Sequence, residues 1–172
     1  MGRGQTGVAA EVAHAMTKQA SAPASTFPKP VLMSFQPEWA DSVLRKGTQF
    51  ELRRSRCGCQ TGTKVLVYTS GKVKAITGAF TVGRVLSGSL DDLYAQVAGK
   101  CGVDASGFYG YLQGLETAYA IEVLDPRLTK PVELGYEDNG KRVRGPMSFQ
   151  YLDVDNSRHV EIWNKVRASF IA

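Results

Sequence analysis

The sequence lacks the features that would assign it to a membrane or secreted class. No apolar run in the 172 residues approaches the length of about 20 residues that a membrane-spanning helix needs. The first residues contain no continuous apolar segment of the kind found in signal peptides. Cysteine is scarce, and the odd number of three does not resemble a disulfide framework. The sequence therefore predicts a cytoplasmic protein with no membrane partner.

Motifs for metal, phosphate-loop and nucleophilic chemistry are also missing. Cys57 and Cys59 have one residue between them rather than the two of a zinc knuckle, and no second close pair completes a site. We expect them to be free thiols in a surface loop, and we predict no metal or other cofactor. His14 and His159 stand near no candidate nucleophile, and no glycine-rich phosphate loop follows a strand pattern.

The composition is that of an ordinary globular domain, with 43% hydrophobic and 22% charged residues. Residues 1–29 are rich in alanine, glycine, serine, threonine and proline, which predicts a flexible or disordered tail. Residues 30–172 alternate between strand and helix patterns and form the predicted domain. The length allows a single domain with a tail.

Within that domain the patterns predict a sheet interrupted by helices. Gly78 and Gly83 interrupt the longest strand at points where a curved or bulged strand bends. The predicted fold class is therefore α+β, a small curved mixed β-barrel with peripheral helices rather than a doubly wound sheet. Strands are expected at residues 31–35, 46–54, 64–68, 73–86, 117–124 and 147–152, and helices after Gln36, after Ser89, at 104–113 and at 157–172.

Residues 46–54, KGTQFELRR, form the most informative stretch. In a strand, Phe50 and Leu52 lie on one face and Glu51 and Arg53 on the other. A carboxylate and a guanidinium are then adjacent on a strand whose opposite face is apolar. The pair can hold a polar ligand through complementary hydrogen bonds, or it can be an ordinary ion pair on a solvated sheet face.

The formal net charge of +5 suggests a polyanionic partner. Basic residues cluster in three places, at 53–56, 72–74 and 141–144. Arg54, Arg56 and Lys74 are candidates for contacts with a nucleic-acid backbone. The alternative is that these charges are the solvated loops of any basic protein.

Several sequence blocks occur in the order of a known family. Residues 32–40, LMSFQPEWA, followed by residues 46–54, resemble the opening of ASCH domains, which belong to the PUA-like superfamily. Residues 65–70, 76–80 and 146–152 are similar to later blocks of that family. Thr48 stands where the family's signature lysine is usual, and Glu51 stands where its amidohydrolase branch has a threonine. The resemblance spans about residues 31–152.

This resemblance implies a curved barrel with a cleft that holds RNA, a modified base or a nucleoside. A non-enzymatic binding domain is the first hypothesis. The alternative is a ribonuclease or nucleoside amidohydrolase in which Glu51 is the general base, so whether the protein is an enzyme stays open. The residues expected in the cleft are Ser34, Glu51, Arg53, Tyr68, Ser70 and Lys72.

An aromatic cluster follows Asp104 in the sequence. Phe108, Tyr109 and Tyr111 are expected to pack the helical insertion onto the barrel, although they could instead stack a base.

Overall fold

The computed structural model describes residues 28–171, and these residues form a six-stranded mixed sheet flanked by four helices. None of the helices in this range is long and apolar enough to cross a membrane. In chain order the elements are β1 (Val31–Phe35), α1 (Pro37–Arg45), β2 (Phe50–Arg53), β3 (Lys64–Thr69), β4 (Ala75–Gly88), α2 (Leu90–Val97), α3 (Ala105–Leu112), β5 (Ala118–Val132), β6 (Phe149–Tyr151) and α4 (Ser157–Ala168).

The strands follow one another across the sheet in the order β2-β5-β4-β3-β1-β6. β1 and β3 are parallel, and the other neighbouring pairs are antiparallel. The sheet curls into a half-barrel, which confirms the predicted α+β class with a curved mixed sheet. The predicted N-terminal tail lies almost entirely outside the described residues.

The two longest strands produce the curvature. The β4–β5 ladder shifts register three times, and Gly78 and Gly83 of β4 lie at two of these irregularities. A Cβ atom on Gly78 would lie 2.6 Å from both the Leu44 side chain and the Arg127 carbonyl, so only glycine lets α1 approach the sheet this closely. β5 continues past the predicted end at residue 124, because Asp125 adopts a positive φ of 48° that bends the strand without ending it.

Helix α1 buries only part of the apolar stripe that its sequence predicts. Proline occupies its first turn, as predicted, and Val43 and Leu44 are buried against the sheet. Trp39, which we expected in the same apolar stripe, is 40% exposed. It lies one turn before Val43, in the first turn of the helix, and lines a cavity described below.

The loop after β2 contradicts the prediction of two free surface thiols. Cys57 and Cys59 are buried and joined by a disulfide with an S–S distance of 2.13 Å. Gly58 turns the chain with a φ of 59°, and both side chains pack into the core cluster that contains Val31. The Tyr151 hydroxyl donates a hydrogen bond to the Cys57 carbonyl at 2.6 Å, which ties this loop to β6.

Candidate functional site: a buried arginine and glutamate in an open cleft

A cavity of about 410 Å³ opens where β1 ends, beside the edge strand β2. The helical insertion supplies one wall, and the segment before β6 supplies part of the rim. Pockets for small molecules commonly have volumes in this range. The lining residues are Ser34, Phe35, Gln36, Trp39, Glu51, Leu52, Arg53, Ser70, Cys101, Val103, Gly107, Tyr111 and Met147.

Strand β2 alternates as the sequence predicts. Phe50 and Leu52 are buried in a cluster formed with α2 and α3. Glu51 and Arg53 face the cavity instead, with side chains only 13% and 12% exposed. The pair is therefore not the ordinary ion pair on a solvated sheet face that the sequence left open.

The guanidinium of Arg53 is only partly satisfied. Its Nη1 atom lies 3.8 Å from Oε1 of Glu51, which is an ion-pair distance but too long for a hydrogen bond. Its Nε and Nη2 atoms are buried and have no hydrogen-bond partner among the described residues. The guanidinium carbon lies 5.3 Å from the centre of the Phe35 ring, which contributes a cation–π contact. Two donors of the fork thus lack an acceptor within the described residues.

Burial raises the pKa of Glu51 to about 7, and the positive charge of Arg53 opposes this rise without cancelling it. Burial has this effect because a carboxylate loses its hydration in a site of low polarity. No hydrogen bond to the Glu51 carboxyl occurs within residues 28–171. Near neutral pH this group therefore exists both as an acceptor-only carboxylate and as an acid that can also donate.

Aromatic side chains also line the cavity. Trp39 and Tyr111 both line it, with exposed fractions of 40% and 45%. The aromatic cluster of the insertion is split between two roles. Phe108 is fully buried and packs against Tyr94 with ring centroids 5.0 Å apart, whereas Tyr111 faces the cavity.

Four predicted ligand residues line the cavity and two do not. Ser34, Ser70, Glu51 and Arg53 belong to its wall. The two serine hydroxyls already donate to main-chain carbonyls, that of Ser34 to Pro146 at 2.5 Å and that of Ser70 to Phe35 at 2.9 Å.

The structure does not bring Tyr68 and Lys72 to the cavity wall. Tyr68 is 5% exposed and belongs to the core cluster under α4. Lys72 is exposed in the turn between β3 and β4, two residues after Ser70.

The three predicted backbone-contacting residues are all exposed. Arg54 donates to the main-chain carbonyls of Tyr111 and Gln113, which places its guanidinium beside the cavity wall. Arg56 lies in the loop after β2. The carbonyl of Lys74 accepts a hydrogen bond from Arg142 at 3.1 Å, so two basic clusters distant in sequence meet there.

The cavity also contains residues that no local pattern identified. Cys101 and Val103 lie between α2 and α3, and Cys101 is a buried free thiol. Only the tertiary fold brings them to β2, so the sequence carried no signal for them. In residues 28–171 no three histidine, cysteine, aspartate or glutamate side chains are grouped to hold a metal ion.

Thr48, at the position of the family's signature lysine, does not line the cavity. Its side chain is buried, and its hydroxyl lies 2.6 Å from that of Ser42. The residue faces α1 and the Gly102 turn rather than the Glu51–Arg53 pair.

A second cavity of about 630 Å³ lies beside α4 and is mostly apolar. His159 is the most chemically versatile side chain there, but both of its ring nitrogens already have hydrogen-bond partners. Nδ1 accepts from the Asp153 amide at 2.9 Å, and Nε2 lies 3.1 Å from the Gln150 side-chain nitrogen. The Glu51–Arg53 cavity is therefore the better candidate, because it alone of the two is lined by a residue with buried, unsatisfied polar atoms.

No protein-family model matches this sequence, and no curated protein does. Solved structures do resemble it. The ASCH protein from Zymomonas mobilis superposes with a TM-score of 0.70 at 18% identity, covering 80% of this chain and 95% of that one. A Tyr-to-Phe variant of it gives 0.70 at 17% identity over 81% and 99%, and a Ser-to-Ala variant gives 0.69 at 17% over 80% and 95%. At these identities the likeness concerns the fold, and the chain has the fold of the ASCH-domain proteins.

Proposed function

We propose that the cavity binds a nucleobase, presented by an RNA strand or by a modified nucleoside. The observation that carries this proposal is the buried guanidinium of Arg53, whose Nε and Nη2 atoms lack partners beside the carboxyl of Glu51. A buried donor without a partner costs free energy, which a ligand acceptor recovers on binding. The shared fold with ASCH proteins is a second, weaker support.

The walls match the chemistry of a base. The fork of Arg53 can grip a carbonyl or a phosphate through two parallel hydrogen bonds. Glu51, when ionised, accepts from ring or exocyclic N–H groups. The aromatic side chains Trp39 and Tyr111 offer the stacking surfaces on which proteins hold unpaired bases.

The charge of the chain favours a ligand with phosphates attached. Arg54 lies beside the cavity wall, and Arg56 and Lys74 are exposed in neighbouring loops. With a net charge of +5, RNA binding should weaken steeply as the salt concentration rises, because the release of counterions from the phosphates then gains less free energy. The proposal includes a cytoplasmic location, where RNA is abundant.

The test compares binding of a short fluorescein-labelled single-stranded RNA of mixed sequence to two matched variants. Arg53→Lys keeps the charge but loses the fork, and should weaken binding about tenfold. The control Arg158→Lys makes the same change on α4, where the arginine donates to the Tyr136 carbonyl and does not line the cavity, and should bind like wild type. If wild type binds neither this RNA nor free nucleosides at low salt, the proposal is wrong.

A second candidate, a nucleic-acid-processing hydrolase, is favoured by one observation. The pKa of Glu51, about 7, suits a general base that works near neutral pH. In this reading Glu51→Gln abolishes turnover while RNA binding persists. Wild-type protein that leaves labelled RNA and acetylated nucleosides intact would eliminate it. The burial of Thr48 away from the cavity favours binding over catalysis.

A further inference from the structure

One residue on the rim of the Glu51–Arg53 cavity has an unusual exposure. Met147 is a large apolar side chain that lines the cavity mouth and yet is fully exposed. Isolated exposed apolar residues are common and need no explanation. Met147 differs because contacts with Ser34 and Tyr68 hold the backbone around it in place.

Ser34 provides the first constraint. Its hydroxyl donates to the Pro146 carbonyl at 2.5 Å, and its main-chain amide donates to the Ser148 carbonyl at 2.9 Å. One residue of β1 thus fixes the carbonyls immediately before and after Met147. The serine that the sequence offered as a ligand contact is occupied in shaping the rim.

Tyr68 provides the second constraint. A Cβ atom on Gly145 would lie 2.3 Å from a carbon of the Tyr68 ring, so the backbone rests directly on that ring. Tyr68 is 5% exposed and pairs in register with Ser34 on the neighbouring strand. Adjacent positions of β1 and β3 therefore support the Met147 segment from below.

Two further exposed side chains share this mouth. Trp39 comes from the first turn of α1 and Tyr111 from the end of α3, and both line the cavity with Met147. Three elements distant in sequence thus surround one opening with apolar surface, while Arg53 and Glu51 supply its polar groups. Apolar side chains beside buried polar groups suit a flat ligand, which has apolar faces and a hydrogen-bonding edge.

We propose that Met147 and Trp39 cover the faces of a planar aromatic ring whose hydrogen-bonding edge reaches Arg53 and Glu51. The ligand class of this site is then a flat ring with an anionic or carbonyl group. A thioether makes favourable contacts with aromatic rings and adapts to rings of different size. Ser34 is a positioning residue that acts through Met147. This inference rests on the proposed function only in taking the ring to be a nucleobase.

The test uses probes that differ in flatness. Benzoate and cyclohexanecarboxylate have similar size and the same charge, but only benzoate is planar, and adenosine and uridine serve as nucleobase probes. Binding to the full chain is measured by calorimetry. Benzoate, and at least one nucleoside, should bind about tenfold more tightly than cyclohexanecarboxylate. Met147→Ala should remove that advantage without weakening cyclohexanecarboxylate.

A positioning role for Ser34 has its own signature. Ser34→Ala should weaken the binding of benzoate by the same factor as Met147→Ala. The double variant should bind no more weakly than either single variant, because both substitutions act through one contact. Ser34→Thr, which keeps the hydroxyl, should restore binding. The control Val154→Ala removes an exposed apolar side chain beside the other cavity and should change nothing.

Each outcome decides between the two proposals. If benzoate binds in a Met147-dependent way, and neither the nucleosides nor the labelled RNA binds at low salt, the nucleobase function is wrong and the planar-ring site stands. If nucleosides bind equally well to wild type and Met147→Ala, the function stands and this inference is wrong. If no ring probe binds better than cyclohexanecarboxylate, the inference is also wrong.

Discussion

The Nη1 atom of Arg53 lies 3.8 Å from Oε1 of Glu51, so the two buried groups attract one another without forming a hydrogen bond. Burying two charges costs more free energy than a single loose contact returns. A pair evolved for stability would close this gap and satisfy the remaining donors. Nε and Nη2 of Arg53 are left without partners instead, and an acceptor that reached them would recover the free energy that this costs.

This burial predicts how stability depends on pH. The folded state holds the Glu51 proton with a pKa of about 7, against 4.5 for the ordinary group. The contribution of the Glu51 proton to the free energy of unfolding is therefore fully present below pH 4.5, declines as the pH rises through 7, and is lost above it. Glu51→Gln avoids this loss and should be more stable than wild type at pH 8, by up to about 3 kcal/mol.

Urea unfolding of both proteins across this pH range tests the prediction. The difference in free energy of unfolding should grow from pH 4.5 to 8 in favour of Glu51→Gln. Glu161→Gln is the control, since that glutamate is exposed on α4 and its pKa is lowered by Lys165 rather than raised. A difference that does not change with pH would mean that Glu51 is not desolvated.

Arg53 should control the titration of its neighbour. Its positive charge lowers the pKa of Glu51 against the effect of burial, so Arg53→Met should move the midpoint upward from about 7. Arg53→Lys, which keeps a charge, should move it less. Carboxyl ¹³C NMR follows the midpoint directly. A midpoint that stays in place in Arg53→Met would show that the two groups do not interact.

A pair of glycines tests the support under Met147. Gly145→Ala would drive a methyl group into the Tyr68 ring and should destabilise the protein by about 1–3 kcal/mol, the usual cost of overpacking. Gly110→Ala is the matched change in the exposed middle of α3, where no atom lies within 4 Å of the new methyl group. Gly110→Ala should raise the free energy of unfolding by up to about 1 kcal/mol, because alanine has a higher helix propensity than glycine. Thermal unfolding distinguishes the two, and equal effects would contradict the packing described here.

The pair on β2 could be predicted from its alternation, and Ser34 and Ser70 from the family resemblance, but the rest of the cavity wall could not. Period-2 alternation was enough to place Glu51 and Arg53 on a common face, because β2 is apolar on one face only. β3 is buried on both faces, so its apolar run gave no sign that Tyr68 would not line the cavity. Cys101 and Met147 reach the cavity only through tertiary packing, which no local pattern encodes.

Thr48 provides the sharpest distinction between the family's pattern and this chain. The residue is buried, its hydroxyl lies 2.6 Å from that of Ser42, and a Cβ atom on Gly102 would lie 2.7 Å from the same oxygen. Thr48→Lys must place a long charged side chain in this packed position. It should lower the free energy of unfolding by about 2 kcal/mol or more and create no cleavage of acetylated cytidine.

Thr48→Ser is the matched control, because it keeps the hydroxyl near Ser42 and removes one methyl group. Its cost should stay near 1 kcal/mol, the value of one buried methyl group. Denaturant unfolding and a chromatographic assay of acetylcytidine measure the two properties separately. If Thr48→Lys instead folds with wild-type stability and cleaves acetylcytidine, its ammonium reaches Glu51, and the site is an amidohydrolase centre that lacks one residue.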